Sequence, residues 1–353
     1  MTMTEVKRLI QSDITKILLF LTLTAISAAI VSPFFFNVGK VIAEVVEARG
    51  SNPALLWFAH QCEISDFTRY FNYTLLICAL LLAGPFIMWM RIGKTSKPQK
   101  NKPWLLRLPG HSIAHTSGQS LSHNGRSWFH FGTGLLLASS LTLLTMWLLL
   151  YTGWFHLNHP VMWIDAIKRA TVIAAVSAVL EEWVFRGILL GICLRSLRPA
   201  VAIISVTVLY ACVHFLSPLH GALLSEPGQW DTGFRMLSLV GQRFMHLHEF
   251  ALPFLTMLMM GGILAYARYR TASLWLPIGM HLGWVFVHSL FQEIASPSSG
   301  HVSSAEFFIS ADRKSGVLPL AVLVATGLLV HFFVHASEVR RHVREEKDNE
   351  VSD

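Results

Sequence analysis

The chain has 353 residues, of which 53% are hydrophobic and 14% charged, against roughly 25% charged in a typical soluble domain. With a mean hydropathy of +0.50, this composition excludes an ordinary soluble enzyme and points into a lipid bilayer. Four cysteines, three of them (Cys78, Cys193, Cys212) inside apolar runs, exclude a secreted disulfide scaffold. The net charge of +7 fits basic residues gathered on cytoplasmic loops better than a nucleic-acid partner, and none is expected.

A hydrocarbon core about 30 Å thick needs roughly 20 apolar residues as helix. Seven stretches meet that test in chain order: about 14–36, 70–91, 128–151, 199–217, 250–268, 272–292 and 316–336. An eighth, about 166–194, is long enough but carries Glu181, Glu182 and Arg186 near its middle. Ionisable groups are costly in lipid, so a span that keeps three of them is expected to be functional. The expected fold class is therefore all-α, a polytopic transmembrane helical bundle of about eight spans. It divides into an N-terminal membrane region (1–164, three spans), a core (165–292), and a last span with a charged tail (293–353).

The first span outruns a signal-peptide core and is read as an uncleaved anchor. Residues 93–127, rich in Lys, Pro, Ser, Gly and His, read as an irregular basic loop. Segments 37–69 and 218–249 mix apolar and charged positions and are expected to hold interfacial helices. Eight spans put both termini on one side, and about twice as many Lys and Arg fall on that side, densest over 94–107. Both termini are thus expected in the cytoplasm. With no organelle signal, the expected location is a bacterial inner membrane.

Three polar clusters lie inside spans. Glu182 and Arg186 are four residues apart, a spacing suited to an ion pair on one helix face. Glu181 is rotated about 100° from Glu182 and expects its partner from another helix. Tyr210 and His214 repeat the four-residue spacing, and His281 stands in a third apolar run with Trp284 and His288 beyond it. Counted from the cytoplasmic span ends at about 1.5 Å per residue, Glu181, His214 and His281 lie about 21, 22 and 16 Å deep. They could meet at one level.

One carboxylate and two histidines at that depth allow several chemistries. A zinc site is one, but the HExxH signature is missing, because His248-Glu249 runs on into Phe-Ala-Leu. The aspartyl GxGD and serine GxSx patterns are missing as well. What remains is a carboxylate general base that activates water, a histidine beside it, and a second histidine that donates to the oxyanion.

Glu181-Glu182-Trp-Val-Phe-Arg186, then Tyr210-x-x-x-His214, then His281 behind Ser273-Leu-Trp-Leu-Pro-Ile-Gly-Met resemble the CPBP family. That family comprises type II CAAX prenyl endopeptidases and bacteriocin-processing and immunity proteins, and its members are called glutamic intramembrane proteases. The resemblance covers about residues 165–292. It implies that Glu181 is the catalytic base, His214 the histidine sharing the activated water, His281 the oxyanion histidine, and Glu182 with Arg186 the orienting pair. Two positions depart from the family pattern. Tyr210 replaces a Phe, and Val285 stands where the family has Asn or Asp. The Trp284 indole N–H is the nearest substitute donor; His288, about 10 Å along the helix, is too far.

The function that follows is an intramembrane endopeptidase acting on a membrane-anchored or lipidated protein substrate, with no metal or other cofactor required. Two other classes stay open on the residues: a catalytically silent scaffold, immunity or regulatory protein of the same fold, and a transporter whose Glu/His relay moves protons.

Overall fold

Long apolar runs with few internal breakers, bounded by side chains that cap helix ends, make this chain helical almost throughout. Asn52 and Asp66 show the boundary rule. Each accepts a backbone N–H three residues on, Leu55 at 2.9 Å and Arg69 at 3.0 Å, and so satisfies a donor left open by the first helical turn. The structure is a computed structural model that describes residues 13–50, 52–90, 127–216, 226–246, 250–298, 309 and 316–350. Residues 93–126 of the expected basic loop and His248-Glu249 lie outside the described residues.

In chain order the elements are α1 (Asp13–Arg49), α2 (Pro53–Ile64), α3 (Phe67–Trp89), α4 (Ser127–Tyr151), β1 (Phe155–Leu157), α5 (Trp163–Glu181), a π-helix (Glu182–Leu189), α6 (Leu190–Ser196), α7 (Pro199–His214), α8 (Thr232–Met245), α9 (Ala251–Thr271), α10 (Trp275–Ile294), β2 (Ala295–Pro297) and α11 (Val317–Glu350). The all-α architecture expected from the sequence is the one observed. Among the described residues, five helical stretches are long and apolar enough to cross a membrane: Thr15–Arg49, Phe67–Trp89, Ser127–Tyr151, Ala251–Thr271 and Val317–Ala336. α7 is apolar but shorter, at 16 residues. The eighth expected stretch is α5 running through the π-helix into α6.

Three features differ from the sequence expectation. α1 does not stop near residue 36 but continues to Arg49, about 55 Å in all. Arg268, one of the basic residues that the sequence assigns to the cytoplasmic side, is buried in the last turn of α9. A short antiparallel ribbon, with Phe155 opposite Pro297 and Leu157 opposite Ala295, ties the stretch after α4 to the end of α10.

The chain forms two compact units, Met1–Asn101 with Val213–Phe250 and Lys102–Cys212 with Ala251–Asp353. In the first, Ala28, Ala29, Phe67, Phe71, Cys78 and Met236 form the core. Gly233 of α8 lies on the backbone of Ala29, where a Cβ would collide. Lys40 donates to the carbonyls of Cys62, Glu63 and Ser65 at 3.2, 2.5 and 3.1 Å, a cation on the C-terminal end of α2.

The second unit is held by small residues. Gly134 of α4 lies against the Leu276 carbonyl of α10, and Gly279 and Gly283 of α10 lie against Phe131, Leu135 and Ala138 of α4. Without side chains in the way, the two backbones touch, which is how helices associate where lipid removes the hydrophobic drive between them. Apolar side chains point outward instead, among them Leu136, Ile164 and Val172.

A Cβ at Gly279 would run into the Phe131 carbonyl, whereas one at Gly132 meets nothing within 4 Å. Gly279→Ala is therefore expected to destabilise by about 1–3 kcal/mol, as overpacking does, and Gly132→Ala to be neutral. Thermal unfolding of both variants in detergent micelles checks the difference.

Candidate active site

α5 turns one face of alanines, Ala166, Ala170, Ala174 and Ala178, into the protein, all buried. The four-residue spacing keeps them on one side of the helix, and their small size lets α10 come close. Glu182 and Arg186 take the next two places on that stripe, and both are fully buried, at 0%. Glu181, one residue off the stripe, sits at its edge with a side chain 27% exposed. From Glu182 to Leu189 the helix widens to the π form, and the Leu190 N–H reaches back to the Phe185 carbonyl. Such insertions occur frequently at functional sites.

The centre of the cluster is Glu182 Oε1. It accepts from Arg186 Nη1 at 2.7 Å and lies 2.8 Å from Nδ1 of His281, which α10 supplies. A carboxylate only accepts, so Nδ1 carries the proton of that bond. The other ring nitrogen, Nε2, then faces Glu181, 3.8 Å from Oε2, which is too far for a hydrogen bond. The imidazole thus stands between two carboxylates.

Arg186 is satisfied on several sides. Its guanidinium carbon lies 4.3 Å from the centre of the Tyr210 ring, a cation–π contact, and Nη2 donates to the Gly261 carbonyl at 3.2 Å. Gly261 packs on the same ring, since a Cβ there would come within 3.0 Å of it. Tyr210 is fully buried. It meets Phe185 edge to face at 5.0 Å, and its hydroxyl donates to the Met260 sulfur at 4.0 Å. Ser177 Oγ donates to Glu181 Oε1 at 2.7 Å.

Of the residues singled out from the sequence, the structure brings Glu181, Glu182, Arg186, Tyr210 and His281 together. The Glu182–Arg186 pair forms as its spacing predicts. The expectation that Glu181 depends on another helix is half right: His281 comes from α10, but Ser177 lies one turn back on α5 itself. A serine four residues before a half-buried intramembrane glutamate is a signal readable in the sequence that the motif analysis does not use. Trp284 is 3% exposed, and its Nε1 has no hydrogen-bond partner among the described residues. Val285 is half-buried. His214 ends α7 one turn beyond Tyr210, and from Val213 on the chain counts with the first unit. Among the described residues no three His, Cys, Asp or Glu side chains are arranged to hold a metal ion.

Arg186→Met leaves the Glu182 carboxylate buried without its cation. The expected cost is about 3–5 kcal/mol, and Glu182→Gln in the same chain should recover part of it by removing the stranded charge. Unfolding of the single and double variants in micelles measures both.

Residues 163–287 match the family model described as type II CAAX prenyl endopeptidase, Rce1-like. The match opens on the first residue of α5, closes inside α10, and spans every site residue named above. No curated protein and no solved structure matches the chain. The family is one of membrane proteases, and with the apolar helices it makes this an integral, multi-pass membrane protein. Residues 163–287 are thus a Rce1-like domain of the CPBP, or CAAX protease, family.

Proposed function

We propose that the protein is an endopeptidase that cleaves a membrane-anchored or lipidated protein with a water molecule activated by Glu181. The observation that carries this reading is the placement of His281 between Glu181 and Glu182. A buried imidazole anchored through Nδ1 to a carboxylate that Arg186 already neutralises has its other edge committed to whatever stands beside Glu181.

Each residue then has one task. Glu181 Oε2 takes a proton from water as the water oxygen bonds to the substrate carbonyl carbon. The carbonyl oxygen becomes the oxyanion, and His281, when its Nε2 is protonated, donates to it. The proton held by Glu181 passes to the leaving amine, the C–N bond breaks, and the carboxylate is restored. Glu182 and Arg186 take no proton; they hold the imidazole in one orientation. The Trp284 indole N–H, buried and without a protein acceptor among the described residues, is the proposed second oxyanion donor where the family has Asn or Asp at position 285. The distribution of Lys and Arg supports a bacterial inner membrane with both termini cytoplasmic.

Glu181→Gln keeps the size of the side chain and removes the base, so turnover should fall by about 10²–10⁴-fold. The check is a comparison of membrane-proteome termini in cells lacking the gene and complemented with wild type or Glu181→Gln. Termini restored by both equally would end the reading. Trp284→Phe removes the indole N–H and keeps an aromatic ring, and losing one oxyanion donor should cost about 10²–10³-fold in kcat. A twofold change or less would take Trp284 out of the mechanism.

A further inference from the structure

Ser177 has no task in the mechanism above, and its hydrogen bond differs from those of the other hydroxyls in these helices. A Ser or Thr inside a helix normally donates back to the carbonyl one turn earlier. Thr24, Thr74, Thr142, Thr171, Thr256 and Thr326 all do so here, at 2.7–2.9 Å. Thr171 follows that rule on the same helix as Ser177. Ser177 Oγ instead donates forward to a side chain, Glu181 Oε1, at 2.7 Å.

The consequence is geometric. A glutamate has three rotatable bonds, and an oxygen that must meet both water and substrate needs most of that freedom removed. Holding Oε1 through Ser177 turns Oε2 to the side where His281 Nε2 stands, 3.8 Å away. A bond to a charged acceptor is also among the stronger ones.

We propose that Ser177 is the positioning residue of the glutamate base, fixing which Glu181 oxygen takes the proton of the water. The inference rests on the Glu181 reading and extends it. Ser177 touches neither water nor substrate in this role.

The test uses the full chain in phospholipid vesicles with a quenched fluorogenic peptide that carries a lipid anchor. Alanine is the best helix former, so Ser177→Ala should fold and melt as wild type does. The expected result is a kcat lowered about tenfold or more, a KM within twofold, and an acidic limb of the rate–pH profile displaced by about half a unit or more. An unchanged kcat overturns the proposal. So does a kcat loss with an unmoved pH profile, which would mark a structural role. A readout independent of turnover is the infrared carboxylate stretch of Glu181, identified by its loss in Glu181→Gln. It should shift in Ser177→Ala, and an unshifted band overturns the proposal even where the peptide is not cleaved. Full turnover by Glu181→Gln would instead remove the glutamate mechanism, whatever Ser177→Ala did to the band.

Discussion

A carboxylate with no exposure to solvent has to find its hydrogen bonds inside the protein, and the arrangement of the second unit follows from how Glu182 finds them. Desolvating an unpaired carboxylate costs several kcal/mol. Arg186 supplies the charge from one turn on, and His281 supplies the second donor from α10. Arg186 brings its own demands, met by the Tyr210 ring on α7 and the Gly261 carbonyl on α9. One buried acceptor therefore links the segment that follows α5 to three other helices.

Two adjacent glutamates end in different environments because a helix turns about 100° per residue. Glu182 continues the alanine stripe into the interior, and Glu181 falls at its edge. The interior carboxylate is bound on its helix and across to α10, and serves as an anchor. The edge carboxylate keeps 27% of its side-chain surface, is held by Ser177, and is the one placed for chemistry. Alanines and glycines make this possible by letting α5, α4 and α10 lie close enough for short polar side chains to meet. The same close approach ties stability to function, since the glycines that seat α10 against α4 also seat His281.

Much of this was legible. The apolar runs specified helices and a bilayer, because twenty-residue apolar segments have few other stable outcomes. The four-residue spacing of Glu182 and Arg186 announced their ion pair, since both lie on one face of one helix. The order of the three motifs identified the family that the match over 163–287 supports. Other features were not legible. Nothing local distinguishes the π turn at Glu182–Leu189 from a continuous α-helix, and α1 was cut short because its apolar run ends before its helix does. The ribbon between β1 and β2 pairs residues about 140 positions apart, and pairing at that distance leaves no periodic trace.

Which residue types share a helix face, and at what spacing, can be read along the chain: the alanine stripe, the glutamate pair, and the histidine behind a proline and a glycine. Those are properties of neighbours a turn apart, set by backbone geometry. Helix packing is what turns His281 Nδ1 to Glu182 and Nε2 to Glu181, seats Arg186 on Tyr210, and leaves the Ser177 proton to a side chain rather than to a backbone carbonyl. Each of these is a choice among competing partners. Such choices are settled by which helix lies alongside, because a buried donor or acceptor takes the partner that packing brings within 3 Å.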